Sequence, residues 1–126
     1  YLYGGLGGRL DHTMGNFQLL TGISKAGDQA YLIGEGQIIT AITGERIRFS
    51  KGADGMISVF SMDTVASGIW EHNLKYQLRD AQMTNDKTLG VSNEFIGRES
   101  SIEVHQGTLL ILWDAKNGLP MERARL

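Results

Sequence analysis

Ile102-Glu103-Val104-His105-Gln106-Gly107-Thr108-Leu109-Leu110-Ile111-Leu112-Trp113 decides the fold. Two apolar-rich segments, Ile102 to His105 and Thr108 to Trp113, flank Gln106-Gly107, and glycine supplies the backbone freedom a tight turn needs. Alternation along the second segment places Leu109, Ile111 and Trp113 on one face. The same pattern extends upstream to Gly27. Strands are predicted at Ala30 to Gly34, Gln37 to Thr43, Arg46 to Phe49, Met56 to Phe60, Ser67 to Trp70, Leu74 to Leu78, Ala81 to Thr84 and Leu89 to Val91. Turn formers separate them, as in Glu35-Gly36, Lys51-Gly52-Ala53-Asp54-Gly55 and Asn85-Asp86. Roughly six to nine short strands at this spacing predict a mainly β chain, an antiparallel sandwich or barrel. The 17 glycines and single proline agree with many tight turns. Lys116-Asn117-Gly118-Leu119-Pro120 ends the ordered pattern, and Met121 to Leu126 read as a frayed end.

Before Gly27 the period changes. Leu10, Met14, Phe17 and Leu20 or Thr21 fall on one stripe of a helix, with Asp11 as N-cap and Gly22 or Gly27 as exit. Gly15, which costs about 1 kcal/mol against alanine in mid-helix, implies close packing there. Ahead of the helix runs Gly4-Gly5-Leu6-Gly7-Gly8-Arg9-Leu10-Asp11-His12. Two readings of it stand. In one, Gly7 and Gly8 let backbone amides approach a phosphate, Arg9 supplies a forked donor, and Asp11 holds Mg²⁺ or accepts a hydroxyl proton. In the other, the glycines only turn a strand into a helix, Asp11 caps it and Arg9 is solvated. Such a loop normally follows a strand of an α/β unit, whereas only Tyr1-Leu2-Tyr3 precedes it. The chain therefore reads as a piece of something longer. The expected division is residues 1–26, a strand end, loop and helix from an α/β domain, and residues 27–126, the sandwich.

Bulk properties exclude several classes. With 12 basic and 14 acidic residues the formal net charge is −2, which offers no electrostatic case for nucleic acid or an anionic membrane. No apolar stretch approaches the about 20 residues of a membrane span. The absence of cysteine removes disulfides and thiolate metal sites and fits a cytoplasmic setting. No GxxxxGK[ST] loop occurs, so the usual nucleotide cradle is excluded. His12, His72 and His105 lack the spacing of a zinc site.

Further motifs carry chemistry. In Leu89-Gly90-Val91-Ser92-Asn93-Glu94-Phe95, Ser92 and Asn93 offer a hydroxyl and an amide suited to a polar heteroaromatic ligand. The plainer reading is a turn with Asn93 in the left-handed region. Trp113, at the end of its strand, either stacks on a flat or cationic ring or closes a core or subunit interface.

Two motifs together resemble one family. Gly5-Leu6-Gly7-Gly8-Arg9-Leu10-Asp11-His12-Thr13, with Asn16 and Leu19-Leu20, is similar to a stretch of bacterial thiamine pyrophosphokinases. So is Leu89-Gly90-Val91-Ser92-Asn93-Glu94-Phe95-Ile96-Gly97, with Asn73-Leu74-Lys75-Tyr76-Gln77-Leu78 upstream. The likeness reaches to about Asp114 and corresponds to the C-terminal portion of that family. It implies diphosphate transfer from ATP to the thiamine hydroxyl, giving thiamine diphosphate and AMP, with Mg²⁺. It also implies an N-terminal α/β catalytic domain, a thiamine-binding β-sandwich and a homodimer with sites between subunits. Arg9 and Asp11 would face the substrates, with Arg9 on phosphate; Ser92, Asn93 and Trp113 would meet thiamine. The family's GDxDS-type loop and second aspartate cluster do not occur here, so the 126-residue chain is expected to be inactive alone. The competing expectation is a ligand-binding or dimerisation sandwich without chemistry.

Overall fold

Gln37–Thr43 (β3) and Thr108–Asp114 (β10) pair antiparallel along their whole length at the centre of a six-stranded sheet. The computed structural model describes residues 1–3 and 10–126. The sheet runs in the order β1 (Leu2–Tyr3), β2 (Tyr31–Gly34), β3, β10, β5 (Met56–Ser61), β8 (Asn93–Glu94). A second sheet runs β11 (Glu122–Arg125), β4 (Glu45–Phe49), β9 (Ser100–Glu103), β6 (Val65–His72), β7 (Leu78–Thr84). Every described pairing is antiparallel except β1 with β2, which is parallel and joined through α1 (Leu10–Lys25).

The sequences of β3 and β10 explain the layering. Gln-Ile-Ile-Thr-Ala-Ile-Thr and Thr-Leu-Leu-Ile-Leu-Trp-Asp are apolar at consecutive positions, as expected of strands covered on both faces. Ile38, Ile42, Leu109, Ile111 and Trp113 point between the sheets, where Ile47, Phe49, Ile69, Ile102 and Val104 of the second sheet meet them. Ile39, Ala41, Leu110 and the half-buried Leu112 point the other way, and Leu20 and Phe17 of α1 pack on them. Each such aliphatic side chain contributes about 1.5–3 kcal/mol on burial.

The helix is fastened at its C-terminal half. Gly27 takes φ 92°, and its N–H and that of Asp28 return to the carbonyls of Ser24 and Ile23, a Schellman ending. Buried Ser24 shares a hydroxyl hydrogen bond with Thr43, which shares another with Thr108, each 2.7 Å. Asp63 accepts from Lys25 and from the Thr108 N–H, and these bonds, Lys25's foremost, outweigh burial and hold its carboxyl below the ordinary range. The predicted stripe is thus only half used: Leu20 is buried, whereas Leu10 and Met14 are 85% and 57% exposed. Asp11 lies inside the first turn rather than before it, and its Oδ1 accepts the His12 N–H. Among the described residues nothing lies within 4 Å of where a Cβ on Gly15 would sit, contrary to the expected close packing.

Other elements also differ from the sequence reading. Leu74 to Leu78 is not a strand: Asn73 turns at φ 57°, Leu74 makes a single bridge to Phe95, and β7 starts at Leu78. Leu89 to Val91 forms a turn, and the strand follows it as β8. The end predicted to fray is β11, paired with β4 from Glu122 to Arg125. Its fastening is Arg123, whose side chain is 4% exposed and donates to both oxygens of buried Glu45, to Thr40 Oγ1 and to the Ala41 carbonyl. Burial opposes the guanidinium charge, but Glu45 and Tyr31 overcome it and raise its pKa.

Candidate functional site

The Leu89–Gly97 segment crosses the outer edge of β5. The Gly90 carbonyl accepts the Val59 N–H at 2.9 Å, and a Cβ on Gly90 would lie 2.5 Å from the Val59 carbonyl oxygen. Only glycine lets the two backbones approach so closely. Ser92 then takes φ 62°, left-handed for a non-glycine residue, and its N–H donates to Ser58 Oγ at 3.0 Å. The result is an exposed Ser92 raised over the outer face of the six-stranded sheet. Left-handed geometry belongs to Ser92 and not to Asn93.

Asn93 holds this shape. Its Oδ1 accepts the N–H groups of Tyr76 and Glu94, both at 2.9 Å. Its Nδ2 donates to the Tyr76 carbonyl at 2.7 Å and to Glu71 Oε1 at 3.1 Å. Two accepted and two donated bonds use the whole capacity of an amide. Asn93 is 4% exposed. It therefore positions Ser92 instead of meeting a ligand, a correction to the expected contact. Trp113 is corrected likewise. It is 1% exposed, its ring lies edge-on to Phe49 and Tyr31, and its indole N–H donates to the Gly118 carbonyl, so no face is open for stacking.

Beside Ser92 the outer face carries a concavity of about 450 Å³ lined by Gln37, Gly55, Met56, Ser58, Phe60, Leu112 and Asp114, and Trp113 borders it from its buried position. Phe60 also borders a second, apolar concavity of about 470 Å³ with Met14, Phe17, Met62 and Leu110. Alternation in β5 explains the first: Ile57 and Val59 enter the core, so Met56, Ser58 and Phe60 face outward. Since α1 covers this same face over β2, β3 and β10, the concavities occupy the part it leaves open. The structure thus brings Ser92 and the helix that begins after Arg9 to one face of one sheet. Gly7, Gly8 and Arg9 lie outside the described residues. Among the described residues no three His, Asp or Glu side chains converge on a point that holds a metal.

Sequence reasoning missed Ser58, Phe60, Asp114 and Glu71. The first two were legible as the outward positions of a strand, and Asp114 as the polar end of β10. Glu71 carried no signal. It is 1% exposed, burial pushes its carboxyl up to about 7 against the opposing Asn93 hydrogen bond, and Oε2 has no hydrogen-bond partner among the described residues.

No curated protein sequence gives a significant match. The family model "Thiamin pyrophosphokinase, vitamin B1 binding domain" matches residues 45–109. Among solved structures, thiamine pyrophosphokinase from Bacillus subtilis is 26% identical, with a TM-score of 0.81 over 89% of this chain and 53% of that one. The enzyme from Geobacillus thermodenitrificans is 22% identical, with a TM-score of 0.75 over 94% of this chain and 54% of that one. The yeast enzyme shares the fold at 16% identity, with a TM-score of 0.71 over 87% of this chain and 38% of that one. The chain spans about half the length of these bacterial relatives. No described helix is long and apolar enough to cross a membrane. With the matched residues running from β4 into β10 and the fold shared over 89% of the chain, the chain belongs to the vitamin B1-binding domain family of thiamin pyrophosphokinases.

Proposed function

We propose that this chain seats thiamine on the outer face of its six-stranded sheet as part of an enzyme that transfers diphosphate from ATP to the thiamine hydroxyl, releasing AMP. The observation that carries this reading is Ser92, held exposed above Ser58 on the face that also bears α1. Thiamine is a flat cation with an alcohol arm. The phenyl ring of Phe60 and the carboxylate of Asp114 in the concavity suit the cation, and the hydroxyl of Ser58 in its wall suits its polar edge, with that of Ser92 beside it, held there by the Ser92 N–H bond to Ser58. Diphosphate transfer needs placement and charge compensation more than covalent help. In this scheme the Gly7-Gly8-Arg9 corner ahead of α1 faces phosphate oxygens. Magnesium, implied by the family resemblance, finds no ligand set among the described residues, where Asp11 alone does not make one.

The exposed apolar side chains Met14, Met56 and Leu89 border the same face, and a second copy covering them would close the cleft. This patch also favours the other reading, a sandwich used only for dimerisation. Calorimetry with thiamine and a coupled AMP-release assay on the 126-residue chain separate the possibilities. Binding without turnover, lost in Ser92→Ala, is the expected result. Turnover at ordinary enzyme rates overturns the incomplete site, and the absence of binding overturns thiamine recognition by this chain.

A further inference from the structure

Glu71 is a buried ionisable group that the proposed chemistry does not use and that, unlike buried Glu45, has no cation beside it among the described residues. It projects from β6 into the interior at 1% exposure, and its hydrogen-bond partner is the Asn93 amide that shapes the Ser92 loop. Its second oxygen, Oε2, is buried without a hydrogen-bond partner among the described residues. Among the described residues no cation pairs with it. On β7, its cross-strand neighbour is Leu78, and Arg79 and Asp80 are exposed. On β9, it faces Ile102, while Glu103 turns to the outer surface beside His72 and His105. On β8, Glu94 pairs with Lys75 at 3.7 Å, both half-exposed. Burial and the Asn93 bond are accordingly the two causes that displace its titration.

We propose that Glu71 is a positioning residue for the Ser92 loop, acting through Asn93, and that one proton on its carboxyl decides how tightly the loop is held. The inference rests on the reading of Ser92 as a thiamine contact. In the neutral acid, Oε1 accepts the Asn93 N–H and Oε2 carries the proton, so the interior holds one unpaired hydroxyl and no charge, a lesser cost than a buried unpaired carboxylate. On losing the proton, the carboxylate draws a stronger bond from Asn93 at Oε1 but leaves charge on an unpartnered Oε2. Bringing water to this buried oxygen requires the surrounding chain to loosen, and the Asn93 bonds that join Glu71 to the Tyr76 backbone carry that loosening to Ser92. The closed loop is therefore the protonated form. Each unit of difference between the pKa values of the closed and open forms corresponds to about a tenfold change in thiamine affinity.

The test follows amide and side-chain NH₂ resonances of the isotope-labelled 126-residue chain through a pH titration without ligand. Ser92, Asn93 and Glu94 should shift together with a midpoint near 7, set by the Glu71 carboxyl. Resonances that stay still through that range, or shift identically in Glu71→Gln, overturn the proposal. The wild-type titration needs no variant, so poor folding of Glu71→Gln leaves it decisive. Calorimetry with thiamine should show roughly tenfold weaker binding at about pH 8.5 than at about pH 6 in the wild type and a flat profile in Glu71→Gln. If the loop titrates but thiamine binds at neither pH, the coupling stands and the assignment of the ligand falls. If thiamine binds with a pH-independent affinity while the loop is silent, the assignment stands and the coupling falls.

Discussion

Asn93→Ala removes a side chain that no ligand needs to touch, yet it should be among the most damaging substitutions in the chain. Four hydrogen bonds disappear: those from the N–H groups of Tyr76 and Glu94, and those to the Tyr76 carbonyl and Glu71 Oε1. A buried polar group left without its partner costs about 1–3 kcal/mol. The four are neighbours, so their losses do not add, and the groups nearest the surface recover water. A total of about 3–5 kcal/mol follows, a large share of the stability of an ordinary domain. Urea unfolding monitored by tryptophan fluorescence measures it, with an unchanged slope indicating that only stability has moved. Ser92→Ala is the paired control: an exposed hydroxyl should change stability by less than about 0.5 kcal/mol. A near-neutral Asn93→Ala that nevertheless abolishes thiamine binding would show Asn93 to be a ligand contact after all and refute the reasoning.

Arg123→Ala strands Glu45 as a buried, unpaired carboxylate and should cost about 3–5 kcal/mol in urea unfolding, whereas Arg125→Ala, at the exposed end of the same strand, should cost less than about 1 kcal/mol. Gly90→Ala forces a Cβ to within 2.5 Å of the Val59 carbonyl, so the loop must shift; thiamine affinity measured by calorimetry should fall more steeply than the melting temperature. Stability should also depend on pH in a defined direction. Because the folded chain holds the Glu71 proton up to about 7 and the unfolded chain releases it near the ordinary glutamate value of 4.5, stability is greatest below that range and declines as pH rises through it. That displacement corresponds to about 3 kcal/mol, and denaturant midpoints across pH should lose this slope in Glu71→Gln. The lowered Asp63 carboxyl acts oppositely, with its stabilisation lost as pH falls through its folded value at the acid end.

The two-sheet architecture was legible because β3, β5 and β10 are dense in branched apolar residues and bounded by turn formers. Where periodicity failed, polar contacts had taken over from burial. Glu122-Arg123-Ala124-Arg125 shows no apolar face, so nothing in it announced a strand; the ladder to β4 and the Arg123–Glu45 pair make one. Leu74 to Leu78 looks like a strand by composition, but Asn73 turns the chain and Asn93 captures the Tyr76 backbone instead of a neighbouring strand. At the candidate site, the motif around Ser92 was visible and its internal division of labour was not. Ser92 and Asn93 are adjacent polar residues in sequence, and only the backbone turn at Ser92 sends one outward and the other inward. Trp113 shows the same limit: alternation correctly grouped it with Leu109 and Ile111, and that grouping already belonged to the core.

Chemical-shift mapping of thiamine on the isotope-labelled chain tests the central claim most directly. The account predicts that the largest displacements fall on Ser58, Phe60, Ser92 and Leu112, with the outer face of the other sheet, at Arg46, Ser101 and Glu103, left undisturbed. Displacements centred on Arg46 and Ser101, or none at saturating thiamine, would contradict it.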